Sequence, residues 1–345
     1  MQEEIENDLQ DIGSEEAGLY EHYRIVADPG QGLMRLDKFL ASRLPNASRT
    51  KIQIGIDEGL ILVNQKQSKA NYQIKPHDEI SVNLPHPPRN EELIPQNLPL
   101  DIVYEDEFLL VVNKAPGMVV HPAHGNWDGT LVNGLLYHIN LNLPVGKEPL
   151  RPGLVHRIDK DTSGLLLIAK EEVAMMKLAK QFFDHTVERT YWALVWGTPK
   201  PENGTINTRL GRSPKDRRVT EVTFSEDAGK HAITHFQTLE KFSYTTLIKC
   251  NLETGRTHQI RAHMKYLGHP IFGDPTYGGD KAIKGPAFSK YKSFVDNALA
   301  ICPRQALHAK SLGFVHPATG QWMQFESDLP ADMAEVVEKW RKYHG

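Results

Sequence analysis

At 345 residues, with 40% hydrophobic residues and a net charge of −3, the chain has length for about two domains with buried cores. It contains no apolar run near the ~18 residues of a membrane helix, and its acidic first residues do not read as a secretory signal. Cys250 and Cys302 alone exclude a disulfide framework or a cysteine-rich zinc site, and suit a reducing cytoplasm.

Residues 1–21 hold eight acids and no Lys or Arg, which leaves the rest of the chain mildly basic. Residues 1–30 are read as a disordered, solvating tail and lead-in, with a short strand from His22 to Asp28. From residue 31 the pattern changes. Leu36, Phe39, Leu40 and Leu44 follow helical spacing, which Pro45-Asn46 ends. Ser48 caps a second helix holding Ile52, Ile56 and Leu60, with Gly59 near its end. Ile61–Asn64 and Ile80–Leu84 are strand-like, which completes a small module over 31–84. Arg35, Arg49 and Lys51 belong to a basic excess on its helix pair that suits either a phosphate backbone or a solvated face. Five prolines between 85 and 100 predict a stiff, extended linker.

The second domain is read over 101–345. Asp101–Tyr104 and Phe108–Val112 are short strands, and a Pro-Gly turn follows Lys114. Thr130–His138 is a helix. Polar residues from Arg151 to Thr162 then open into the apolar run Leu165–Ala169, so His156, Arg157 and Asp159 sit where a loop meets a core strand, and Gly164 permits a close backbone approach. Taken alone, an Arg and a carboxylate here also fit a surface ion pair. Glu171–His185 is a helix with Val173, Met176, Ala179 and Phe183 on one face, and Thr190–Gly197 is a strand containing Tyr191. Arg212, Lys215, Arg217 and Arg218 crowd a turn-rich basic loop, a phosphate contact or an exposed hairpin tip. Strands follow at Ala232–Leu239 and Thr245–Asn251. Thr257 is a plausible N-cap for a helix on which His258 and Arg261, three apart, share a face near Arg256. Gly268–Gly278 is a glycine-rich loop, Lys281–Arg304 reads as a partly basic insertion, and Met333, Val336, Val337 and Trp340 mark a final amphipathic helix.

Phosphate-loop, dinucleotide, zinc-protease and nucleophile-elbow motifs do not occur. His121 and His124, with only Asp128 nearby, match no familiar metal-ligand pattern. No metal or cofactor is therefore expected. What remains is one distinguished carboxylate, Asp159, with Arg157 beside it in sequence, and a second Arg-rich segment at 256–261.

Arg35-Leu36-Asp37-Lys38-Phe39-Leu40, the helix opening Ser48-Arg49-Thr50-Lys51, Glu58-Gly59 and Val63-Asn64 resemble the alpha-L RNA-binding module. His156-Arg157-Ile158-Asp159, Thr162-Ser163-Gly164, Arg189–Ala193, Thr254–Arg261 and Gly268–Ile271 resemble, in order and spacing, the RluA/RluD family of pseudouridine synthases, in its ribosomal large-subunit branch. The resemblance implies an α+β catalytic domain with a bent, mostly antiparallel mixed sheet and flanking helices. It makes Asp159 the nucleophile or base that breaks a uridine glycosidic bond, and pairs Arg261 with it. Tyr191 would pack on the base and assist proton removal, while Arg157 fills the gap left by the flipped uridine. His156, Lys114, Arg256, His258, Arg212, Lys215, Arg217, Arg218, Arg35, Arg49 and Lys51 are expected RNA contacts. The expected partner is large-subunit ribosomal RNA or a pre-ribosomal particle, acted on by a cytoplasmic monomer with no membrane or nucleotide partner. Transfer RNA, a non-catalytic RNA-binding assembly factor and a glycosidase-like hydrolase are the alternatives.

Overall fold

The computed structural model describes residues 19–44, 47–85, 93–122, 126–140, 143–144, 151–216, 219–225 and 228–343. The acidic tail up to residue 18, Pro45-Asn46, residues 86–92 of the expected linker, His124, Arg217 and Arg218 lie outside the described residues. The chain divides into two compact units, Met1–Glu92 and Leu93–Gly345. Among the described residues no helix is long and apolar enough to cross a membrane.

The first unit contains β1 (Tyr20–Val26), β2 (Met34–Arg35), α1 (Leu36–Ala41), α2 (Arg49–Asp57), β3 (Ile61–Val63), β4 (Lys66–Gln67), β5 (Gln73–Ile74) and β6 (Glu79–Leu84). A four-stranded sheet runs β1-β6-β3-β4, and β2 pairs with β5. Because β1 pairs antiparallel along β6, the expected lead-in is an edge strand of this unit. The apolar positions of α1 and α2 (Leu36, Phe39, Leu40, Ile52 and Ile56) join Ile61, Ile74 and Ile80 in one core. Ser48 accepts from the Lys51 amide at 3.4 Å, and Gly59 takes the left-handed φ of 76° that ends α2.

Asp37, in the first turn of α1, is fully buried and accepts from Arg35 (3.0 Å), Arg49 (3.0 Å) and Gln53 (2.7 Å). Both arginines remain partly exposed, so part of the basic excess is balanced by a carboxylate inside the module.

The second unit is built on a ten-stranded sheet. Its strands are β7 (Ile102–Glu105), β8 (Leu109–Lys114), β9 (Ser163–Ala169), β10 (Glu188–Trp196), β11 (Asn203–Arg212), β12 (Thr220–Thr223), β13 (Lys230–Lys241), β14 (Thr245–Leu252), β15 (Leu307–Val315) and β16 (Trp322–Glu326). The order is β12-β11-β13-β14-β10-β15-β9-β8-β7, with β16 also on β15. β9 and β15 run parallel, and the other described pairs are antiparallel. The helices are α3 (Leu131–His138), α4 (Glu172–Phe183), α5 (Gln259–Tyr266), α6 (Ser289–Ile301) and α7 (Ala331–Arg341).

β9 is buried at every position because both its faces are covered. Leu166 and Ile168 enter the core that holds α3 and α7, while Leu165 and Leu167 enter the one beneath α4. At the head of β9, Gly164 has φ 112°, and a Cβ there would lie 2.3 Å from the Ala309 carbonyl oxygen of β15.

Three expectations change. On α4 the buried residues are Ala174 and Leu178, while Val173, Met176, Ala179 and Phe183 face outward. Two apolar stripes overlap on this helix, and the one packed into the core is that of Ala174 and Leu178. The stretch 281–304 is no mere insertion, since α6 buries Tyr291, Val295 and Ala298 in the main core. Residues 93–100 are docked rather than a spacer: Ile94 O accepts from Asn133 Nδ2 at 2.9 Å, and the Gln96 amide donates to Asn133 O at 3.0 Å.

Two outcomes are expected. The Arg35 hydrogen bond, opposed by burial and reinforced by Gln53 and Arg49, holds Asp37 far below the usual carboxylate range. Its stabilisation is therefore present above the unfolded Asp value near ~3.9 and is lost as pH falls through the folded value. Asp37→Asn should weaken the first unit by roughly 1–2 kcal/mol at pH 7, the half-solvated arginines limiting the loss. Amide exchange across 34–63 in the full chain measures this, and a difference from wild type that stays constant down to pH 2 contradicts it. Gly164→Ala should cost roughly 3 kcal/mol or more, from a backbone clash in an unfavourable φ region. Thermal unfolding reads that loss.

Candidate active site

The site lies where β9, β10, the loop after β14 and the start of α5 converge. A cavity of about 90 Å³ is lined there by Arg157, Asp159, Tyr191, Arg256, His258 and Arg261, among others. A larger groove of about 740 Å³ between residues 95–102 and α3 contains no comparable set of charged groups.

Arg261 is the hinge of the arrangement. Its Nε and Nη2 donate to the two oxygens of Asp274 at 2.7 and 3.0 Å, and its Nη1 donates to Asp159 Oδ2 at 3.0 Å. Burial lowers the guanidinium's pKa, but the Asp274 bonds and charge, with those of Asp159, raise it overall. Asp274 is fully buried and also accepts from the Thr276 and Tyr277 amides at 3.0 and 3.2 Å. Asp159 retains 19% side-chain exposure and faces the cavity. Asp274 was missed in the sequence because it lies thirteen residues from Arg261 in a loop legible only as flexible backbone. The signal was Gly273-Asp274-Pro275, where a Cβ on residue 273 would meet the Arg304 carbonyl oxygen at 2.2 Å.

The α5 entry differs from expectation. Thr257 is exposed, and the N-cap is His258, in the left-handed region at φ 54°. Gln259 organises the preceding turn: its Oε1 accepts from the Arg256 amide at 3.0 Å and from Thr254 Oγ1 at 2.8 Å. Arg256 Nε donates to the His231 carbonyl at 2.9 Å while the side chain lines the cavity. His258 Nδ1 lies 3.2 Å from the Tyr277 hydroxyl, and its Nε2 lies 4.0 Å from Asp159 Oδ2. His258 and Arg261 thus approach the same carboxylate.

Tyr191 sits in β10 opposite Cys250 and Ala309, almost fully buried, with its side chain lining the cavity. Burial raises its phenol pKa; Arg189 lowers it and Asp159 raises it further. Arg189, also unforeseen, is buried against the Leu252 and Glu253 carbonyls at 3.3 and 2.8 Å and lines the same cavity. Arg157 is exposed at the cavity rim.

Two expected RNA contacts have internal roles instead. His156 Nε2 accepts from the Leu167 amide at 2.9 Å, its ring stacks on Phe182 with centroids 4.5 Å apart, and burial pushes its pKa down to about 3. Lys114 is buried with Nζ on the carbonyls of Ala115 (2.7 Å), Met118 (2.9 Å) and Lys160 (2.8 Å). Burial pushes its ammonium down to about 7; Arg304 adds to this, while Asp161 and Asp159 oppose it. Lys114 therefore fastens the loop carrying Asp159. Arg212 and Lys215 are exposed at the end of β11 and just beyond it. Arg35, Arg49 and Lys51 belong to the first unit.

Residues 108–266 match the RNA pseudouridylate synthase family, and residues 34–80 match the S4 domain. An RNA pseudouridine synthase of Chlorobaculum parvum, named as uncharacterized, is 48% identical over 89% of this chain and 94% of its own. Ribosomal large subunit pseudouridine synthase D of Zymomonas mobilis is 45% identical over 87% of this chain and 91% of its own. The solved structure of human RNA Pseudouridylate Synthase Domain Containing 1 superposes with a TM-score of 0.51 at 25% identity, covering 72% of this chain and 97% of that one. With a carboxylate held by Arg261 in a cavity that a buried tyrosine also lines, and an S4 domain ahead of it, the chain belongs to the RluA/RluD family of RNA pseudouridine synthases.

Proposed function

We propose that this isomerase acts on specific uridines of large-subunit ribosomal RNA, with Asp159 as the nucleophile or base that breaks the glycosidic bond. The observation that carries the catalytic reading is the Arg261–Asp159 contact of 3.0 Å in a cavity with Tyr191. A carboxylate bonded to a buried guanidinium is held in one orientation, as covalent or base catalysis requires. The reaction rearranges one nucleoside without net redox change or hydrolysis. Tyr191 offers an aromatic face and a phenol to the base, and Arg157 at the rim suits the gap left by a flipped uridine. The ribosomal target rests on the names of relatives such as the Zymomonas mobilis protein. The S4 domain supports RNA binding more generally. A cytoplasmic location suits two buried, unpaired thiols, and a monomer is proposed with it.

Pseudouridine-specific chemical mapping of total RNA tests the target. Cells lacking the gene, or carrying only Asp159→Ala, should lose modification at one or a few large-subunit ribosomal positions. Loss confined to transfer RNA overturns the ribosomal reading, and unchanged maps overturn the assignment altogether. In vitro, Asp159→Ala should lower turnover by roughly 10⁴-fold or more. Asp274→Asn is close in size, but it removes the charge and sets an amide NH2 against an N–H donor of the clamp. It should lower kcat by roughly 10²-fold with little change in KM, because Arg261 no longer holds Asp159 in place. Steady-state kinetics separates these effects.

A further inference from the structure

The Tyr277 hydroxyl has one proton and three polar neighbours. It donates to the Thr220 carbonyl at 2.8 Å, and its oxygen accepts from the Thr220 amide at 3.1 Å. Its remaining neighbour, His258 Nδ1 at 3.2 Å, must therefore be the donor. This fixes the His258 tautomer as Nδ1–H and leaves an unprotonated Nε2. That nitrogen lies 4.0 Å from Asp159 Oδ2, too far for a hydrogen bond, on a ring that lines the cavity. The left-handed φ of 54°, uncommon for a residue with a side chain, is where the backbone holds this ring.

We infer that His258, acting through Nε2, takes the proton from C5 of the rearranged uracil and returns it to N1. This rests on the isomerase reading above. Once C5 has bonded to C1′ of the ribose, it carries both that bond and its original hydrogen, and N1 is double-bonded to C6. Nε2 accepts the C5 proton, the C–H electron pair forms the C5–C6 double bond, and the N1–C6 π pair moves onto N1. The imidazolium then protonates N1, which leaves neutral His258 and pseudouridine. One proton moves from C5 to N1, and the balance closes without a co-reactant.

The alternatives in the cavity suit this step less well. Burial raises the Tyr191 pKa, so the phenol holds its proton at neutral pH. Asp159, bonded to Arg261 through Oδ2, is already assigned the glycosidic bond. Around His258 the ionisable groups are Asp159, Arg261, Asp274, Arg212 and Tyr277. Burial dominates and, with Arg261 and Arg212, keeps the imidazole below its usual pKa against the pull of Asp159 and Asp274.

The test compares transcripts of large-subunit ribosomal RNA containing ordinary or 5-deuterated uridine. Wild type should convert both at the same rate. His258→Asn retains a donor toward Tyr277 and suits the left-handed backbone, but lacks the proton acceptor. It should turn over roughly 10²-fold more slowly and acquire a deuterium isotope effect. His258→Gly, also at ease at this φ, should recover turnover when imidazole is added. RNA binding and the melting temperature are checked in parallel to establish that both variants fold. Near-wild-type turnover by His258→Asn overturns the proposal, as does slow turnover without either an isotope effect or imidazole rescue. Absence of pseudouridine with the wild-type protein instead overturns the isomerase reading for this RNA.

Discussion

One guanidinium, that of Arg261, divides its donors between two carboxylates, and the catalytic unit depends on that division. Asp274 behind it is fully buried and takes two of its bonds; Asp159 in front takes one and keeps access to the cavity. Withdrawing a cation and two anions from water is costly unless each is paired and hydrogen-bonded. Here the rear carboxylate is completed by the Thr276 and Tyr277 amides, and the Tyr277 ring lies 5.1 Å below the guanidinium. The set of three carries one net negative charge, and Asp159 presents it to the cavity. A single Arg–Asp pair would be neutral there.

A fixed cation is useful only if the carboxylate it meets is equally fixed, and the loop from His156 to Gly164 is held from several sides. Lys114 Nζ and the Gly117 amide grip the Lys160 carbonyl, and Arg304 donates to the Asp161 carbonyl at 2.7 Å. Gln305 reaches Thr162, Ser163 meets His308 at 2.9 Å, and Gly164 lies against Ala309. His156 fastens the near end to β9 itself. Two of these fasteners, Lys114 and His156, are residue types that a sequence reading assigns to RNA. Their burial lowers the pKa of each ring or ammonium and suits it to the interior.

The difference between what was legible and what was not follows contact range. The helices of the first unit, the buried strand after Asp159 and the close approach at Gly164 are local patterns, and they stand where spacing puts them. The likeness of separated motifs brought Asp159 and Arg261 together across about a hundred residues, something periodicity alone does not do. Asp274 and Arg189 escaped because their work is done through partners distant in sequence, which a motif match or a turn signal does not identify. The inward face of α4 escaped for another reason: Val173, Met176 and Phe183 satisfy helical spacing as well as Ala174 and Leu178 do. Only the shape of the sheet below decides between them.

The charge around the cavity follows from its substrate. An RNA backbone is a polyanion, and a bare carboxylate at the point of reaction would repel it. Among the residues lining the cavity, Arg157, Arg189, Arg256 and Arg261 face Asp159 as the sole carboxylate. Counted with Asp274 behind it, the Arg261 set contributes one negative charge against Arg157, Arg189 and Arg256, so the lining is net positive around a single anion. Arg189 and Arg256 are tied to main-chain carbonyls at Glu253 and His231, acceptors that hold a guanidinium without cancelling its charge. Paired to carboxylates, the same arginines would have left the floor anionic and the rim neutral. Binding to carbonyls behind and to aspartate only at the centre leaves one small cavity with guanidinium charge around a single accessible carboxylate.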